Sequence, residues 1–271
     1  MNRLEKTFNS LKARDERAFI PFFVAGDPTP DLFLDIIKNI EPHADIIELG
    51  IPYTDPIADG PVIQEANKRA FDSGMNLSKA FELIQATRNM TEKPIVILTY
   101  ANVVGVNEKM GETLSRFKEA GVDGIIVADI PIEESETILD CIKEFNMDFI
   151  FLAAPTTTPE RLERIVAKAR GFLYLVAVKG VTGARDSVLE ETSQMIQRIT
   201  AFLGKDKSIP ICVGFGISKP EHVMKIIKDG ADGAIVGSAI IRIIEQHANE
   251  PAKLVKEVKN YIESMKEATK N

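Results

Sequence analysis

The segment GVDGIIVAD at residues 121–129 is echoed by GADGAIVGS at 230–238, the two sharing a Gly-x-Asp-Gly-x-Ile-Val core, and HADIIELG at 43–50 is a looser relative. Each reads as a helix stop followed at once by a buried strand. Outward from these three, short runs rich in Ile, Val, Leu and Phe recur along the chain: AFIPFFVA (18–25), ADIIEL (44–49), IVILTY (95–100), DGIIVAD (123–129), DFIFLAA (148–154), FLYLVAV (172–178), IPICVGF (209–215) and DGAIVG (232–237). Between them PDLFLDIIKNI, EESETILDCIKEF, PERLERIVAKAR and PEHVMKIIKD space apolar residues three and four apart, and several open with proline and acids, as helix N-termini prefer. Continuous apolar strands alternating with amphipathic helices mark a parallel sheet covered by helices. Eight such units imply an α/β fold, a closed (β/α)8 or TIM barrel with an extra N-terminal helix, and 271 residues suit one barrel as a single domain over 1–271.

Composition narrows the function. The chain is 45% hydrophobic and carries 33 basic against 40 acidic residues, a net charge of -7 that offers no chain-wide attraction to nucleic acid or anionic membranes. No stretch approaches the roughly 20 apolar residues of a membrane span. The N-terminal MNRLEKTFNSLKARDERAF is amphipathic and mixed in charge, without the apolar core of a signal peptide, so a cytoplasmic protein is expected. Cys141 and Cys212 lie far apart in apolar segments, and His43, His222 and His247 show no ligand spacing. Two buried thiols are expected rather than a disulfide or a zinc site.

Two connections break the compact rhythm, and both follow strands, which in a barrel places them on the C-terminal rim where active sites lie. After the second strand comes ELGIPYTDPIADGP (48–61), with three acids and three prolines in fourteen residues. Glu48 ends an apolar strand, where desolvation would raise its pKa into a range useful for moving a proton. Asp59 stands eleven residues later on a proline-braced loop. Either acid alone has a bland reading, a lysine-paired structural carboxylate for Glu48 and a helix cap for Asp59, but together they can converge over one cavity. After the sixth strand comes KGVTGARDSV (179–188), whose glycines suit a lid; Lys179 could alternatively form a Schiff base. VGFGISKPE (213–221) and VGSAII (236–241) follow strands seven and eight, and their backbone N–H groups, with the start of a short helix at Ser238, suit a phosphate. Motifs for nucleoside triphosphates, dinucleotides and serine hydrolases are missing.

ELGIPYTDPIADGPVIQ, GVTGAR, GFGISKPE and GADGAIVGSAI together resemble the tryptophan synthase α chain family, a similarity running from AFIPFFVAGDP to the final helices. The resemblance implies retro-aldol cleavage of indole-3-glycerol phosphate to indole and glyceraldehyde 3-phosphate. It implies no cofactor in this chain, no metal, and a pyridoxal-phosphate β chain as partner in an α2β2 heterotetramer. Carried over by position, it puts the catalytic acids on Glu48 and Asp59. Substrate-pocket positions fall on Phe22, Ile63, Leu98, Tyr174, Thr182 and Phe215, and phosphate-binding positions on Gly183, Gly216, Gly237 and Ser238. Asp55 remains as a candidate contact to the partner. The segment Val176-Ala177-Val178-Lys179 departs from the family pattern, which commonly has a serine there. A catalytically weak chain kept as an allosteric activator, and a Schiff-base aldolase using Lys179, are the competing expectations.

Overall fold

The computed structural model describes residues 1–105, 109–176, 185–203, 209–214 and 216–270. It gives the echoing segments a physical reason. In each, the aspartate sits just ahead of a strand and accepts a hydrogen bond from a backbone N–H at the start of the neighbouring strand: Asp45 from Phe19 at 2.7 Å, Asp123 from Ile95 at 3.0 Å, Asp232 from Ile211 at 2.9 Å. The N–H of each aspartate donates back to the carbonyl of that same neighbour, at 3.0, 2.8 and 2.7 Å. The side chain thus pairs a donor that the beginning of a strand would leave unpaired, and it pins the register of adjacent strands. Gly121 and Gly230, at φ 98° and 108°, supply the left-handed residue that ends the preceding helix.

The strands are β1 (Ala18–Val24), β2 (Ile47–Gly50), β3 (Ile95–Thr99), β4 (Gly124–Val127), β5 (Asp148–Phe149), β6 (Leu152–Ala153), β7 (Leu173–Leu175), β8 (Ile211–Val213) and β9 (Gly233–Val236). All pair in parallel, in the order β5-β4-β3-β2-β1-β9-β8-β7-β6. The expected single strand DFIFLAA is divided into β5 and β6, because its first half ladders to β4 and its second to β7. The Ile150 N–H reaches the Ile125 carbonyl at 2.9 Å and the Tyr174 N–H reaches the Phe151 carbonyl at 3.0 Å, so this one segment joins both ends of the sheet and closes the ring. The barrel therefore has its eight staves.

Inside the ring Ala18, Ile20, Ile46, Val96, Ile126, Ile150 and Phe172 pack together with Leu4, Phe8 and Leu11 of the helix Arg3–Ala13. That helix plugs the N-terminal end: Arg3 pairs with Asp123 and Asn2 donates to Asp148, both at strand starts. The opposite mouth is left to the rim loops. Outside, helices such as Pro30–Ile40 and Pro220–Lys228 begin at a proline, as their sequences indicate, and bury one apolar stripe against the sheet. Two details differ from expectation. Cys212 is buried in the barrel interior, but Cys141 is only half-buried, on the flank of the helix Glu136–Glu144; no disulfide joins them. The expected loop 179–188 overlaps the helix Arg185–Leu203, and the rest of it lies outside the described residues.

Candidate active site

Glu48 lies in β2 opposite Phe22 of β1 and Val96 of β3. Since Ile46, two residues earlier, faces the barrel interior, the alternation of a strand turns Glu48 inward too. It is 0% exposed, and neither carboxylate oxygen has a hydrogen-bond partner among the described residues. Among the described residues no lysine pairs with it. Burial pushes this carboxyl from 4.5 to about 8, because nothing nearby replaces the water that would solvate its charge. At neutral pH it holds its proton.

Asp59 arrives from the other side. The helix Pro61–Asp72 is capped at Gly60 with no side-chain hydrogen bond, so Asp59 is not the cap. Its backbone is fixed instead, the N–H donating to the Pro56 carbonyl at 3.0 Å and the carbonyl accepting from Gln64 Nε2 at 2.8 Å. Its carboxylate accepts from Asn67 Nδ2 at 3.4 Å, and the neighbouring Ala58 N–H donates to the Tyr100 hydroxyl at 3.3 Å. Burial raises Asp59 to about 6, against the opposing pull of the Tyr100 hydroxyl and Asn67 nearby. Arg69, on the same helix as Asn67, grips the buried Asp27 with two bonds of 2.8 and 2.9 Å, which fixes the helix against the loop after β1. The Tyr174 hydroxyl is held well above its ordinary value by burial first and then by Glu48, Cys212 and Asp59.

Close backbone approaches shape the pocket walls. A Cβ on Gly50 would come within 2.7 Å of the Phe22 ring, one on Gly237 within 2.9 Å of it, and one on Gly214 within 2.2 Å of the Tyr174 ring. Glycine at these places makes room for the two aromatics. Leu98, opposite Gly50 in the ladder, is half-buried, and Ile63 is buried in the first turn of the helix Pro61–Asp72. Gly216 takes φ 73° beyond β8. Gly237 precedes the helix Ser238–His247, which is ten residues long rather than short, and Ser238 is exposed at its first turn. Asp55 is exposed on the loop, accepting from Thr54 Oγ1 at 3.0 Å. Thr182, Gly183, Phe215 and Lys179 lie outside the described residues.

Three contributors were missed in the sequence. Asn67 holds the Asp59 carboxylate, Tyr100 accepts from the Ala58 N–H of the same loop, and Gly214 admits Tyr174. Asn67 could have been found, as a polar residue in the stripe Ile63, Ala66, Ala70. Among the described residues no group of three or more His, Cys, Asp and Glu could hold a metal ion, and no helix is long and apolar enough to cross a membrane.

A closed (β/α)8 barrel with acids gathered at the C-terminal ends of its strands is the architecture of barrel enzymes that work by moving protons. The family model described as tryptophan synthase alpha chain matches residues 8–270. The chain belongs to that family. A Methanocaldococcus jannaschii tryptophan synthase alpha chain is 48% identical over 263 residues, covering 95% of this chain and 90% of its own. A crystal structure of tryptophan synthase subunit alpha from Legionella pneumophila superposes with a TM-score of 0.86 at 33% identity, over 99% of this chain and 98% of that one. A chain from the tryptophan synthase α2β2 complex of Pyrococcus furiosus gives a TM-score of 0.84 at 36% identity, over 92% and 98%.

Proposed function

We propose that this chain is a lyase that cleaves indole-3-glycerol phosphate to indole and glyceraldehyde 3-phosphate by a retro-aldol reaction, as the α chain of a tryptophan synthase. The observation that carries the mechanism is the pair of unlike carboxyls, a fully buried Glu48 with no hydrogen-bond partner among the described residues and an Asp59 hydrogen-bonded to Asn67. Breaking the bond between indole C3 and the glycerol carbon requires a proton on C3 and loss of a proton from the adjacent hydroxyl. Glu48 starts protonated and gives its proton to C3. Its carboxylate then takes the hydroxyl proton as the C–C bond breaks, the electron pair returning to the ring and the carbon becoming the aldehyde. Glu48 ends as it began. While C3 carries the extra proton, the ring nitrogen is positive and its N–H more acidic, and an ionised Asp59 accepting that hydrogen bond stabilises the charge as it develops. Two carboxyls thus take two roles because their surroundings differ.

The remaining assignments belong to the same reading. Phe22, Ile63, Leu98, Tyr174, Thr182 and Phe215 would contact the substrate, and Gly183, Gly216, Gly237 and Ser238 would hold its phosphate against the start of a helix. The indole ring serves as its own electron sink, so the reaction calls for no cofactor in this chain; pyridoxal phosphate belongs to the partner. We infer a β chain as that partner in an α2β2 assembly, with Asp55 at the contact, and a cytoplasmic location. The test is indole release from indole-3-glycerol phosphate, with and without a β chain. No indole under either condition would leave only the allosteric role, and borohydride trapping of substrate on Lys179 would favour the Schiff-base route.

A further inference from the structure

The helix Pro61–Asp72 buries Ile63, Ala66, Asn67 and Ala70, so one side chain of an otherwise apolar set is an amide, 5% exposed. Asparagine is a poor helix former, and a buried amide costs stability unless it is hydrogen-bonded, whereas leucine or alanine would suit the position on both counts. Its presence there calls for a partner. Asn67 Nδ2 donates to Oδ2 of Asp59 at 3.4 Å. Gln64, three residues earlier and so its neighbour on the helix surface, donates its own amide to the Asp59 carbonyl at 2.8 Å. Two amides of one helix thus take hold of one residue, Gln64 by its main chain and Asn67 by its carboxylate. The helix is itself fixed, because Arg69 makes two bonds to Asp27, of 2.8 and 2.9 Å, and reaches Glu245 of the helix Ser238–His247 at 3.9 Å.

We propose that Asn67 is a positioning residue for the lyase reaction: its amide holds Oδ2 of Asp59 and so sets the plane in which the other oxygen, Oδ1, accepts the indole N–H. The proposal rests on the assignment of Asp59 as that acceptor. A bond of 3.4 Å is a long one, so its contribution is direction more than binding energy. Direction is what this carboxylate needs. The positive charge reaches the ring nitrogen only after C3 is protonated, and an acceptor already aimed at that N–H stabilises it without first reorganising. Gln64 does not replace the amide of Asn67, since it fixes the main chain of Asp59 and leaves the side-chain torsions unset.

The experiment uses the α chain with its β partner and follows indole formation over a range of substrate concentrations for wild type, Asn67→Leu, Asn67→Ala, Asp59→Asn and the double variant Asn67→Leu with Asp59→Asn. Leucine has nearly the shape of asparagine, suits the apolar stripe and cannot donate. Asn67→Leu should lower kcat and kcat/KM together by about 10-fold, the scale of one hydrogen bond to a charged group, and leave KM within about twofold of wild type, as expected for a contact that matters while charge develops. Asn67→Ala, which removes the same donor without filling its space, should show the same loss. Thermal unfolding checks that each variant is folded at the assay temperature. In the Asp59→Asn background Asn67→Leu should cost nothing further, because its route is through Asp59. Unchanged kcat in either folded Asn67 variant, a loss confined to KM, or an equal loss in both backgrounds overturns the role of Asn67 alone. Full activity of Asp59→Asn overturns the Asp59 assignment and this proposal with it.

Discussion

Replacing Glu48 by glutamine should make the protein more stable and catalytically dead, and the stability half can be worked from the burial of this one side chain. The carboxyl titrates at 4.5 when solvated and at about 8 in the folded barrel. Between those values the unfolded chain releases a proton that the folded chain retains, so stability is greatest below 4.5 and falls as pH rises through the window to 8. At about 1.4 kcal/mol per pH unit, the buried carboxyl costs the fold about 3 kcal/mol at neutral pH. Glutamine has the same shape and does not titrate. Urea unfolding of the isolated chain should therefore show Glu48→Gln more stable than wild type by about 3 kcal/mol near pH 7, and equal to it near pH 4. Indole formation by the same variant should fall by about 100-fold to 10,000-fold, the usual worth of a positioned acid or base. A stability difference that is the same at both pH values would refute the reasoning about burial. Near-normal turnover of the folded variant would refute the assignment of the proton to Glu48.

Three further outcomes follow from the site. Gly214→Ala places a methyl group 2.2 Å from the buried Tyr174 ring, so it should destabilise the fold by about 1–3 kcal/mol and weaken substrate binding, read by thermal unfolding and KM. If both stay unchanged, the ring moves more freely than its burial implies. Ser238→Asp sets a negative charge at the exposed start of a helix where the phosphate is assigned, and should raise KM with little change in stability; an unaltered KM would move the phosphate elsewhere. Asp55→Ala should weaken activation by a β chain more than it lowers the basal rate, because Asp55 is exposed on the loop that carries Asp59. The measurement is indole formation against β-chain concentration, and identical activation curves would remove Asp55 from the contact.

How much of this was legible in the sequence depends on whether the signal was periodic or merely spatial. The staves could be read because burial on both faces writes each strand as a continuous apolar run, and the helix Pro30–Ile40 because its proline start and apolar stripe are local. Glu48 was legible for the same reason, as a charge where the pattern demands an apolar residue. Asp59 was half legible: its chemistry was clear, but only the fold shows that Gly60 caps the helix and leaves the Asp59 carboxylate to Asn67. The division of the fifth strand could not be foreseen, since it arises from which neighbour each half meets when the ring closes. Tyr100 was hidden by its own suitability for a buried strand end, where an aromatic draws no notice. Its hydroxyl finds a partner only when a loop 42 residues away in sequence folds over it and the Ala58 N–H donates to the oxygen. The two candidate acids show in the sequence because they violate the pattern of the strand and loop that carry them, whereas Tyr100 conforms to its own and declares itself only through what it touches.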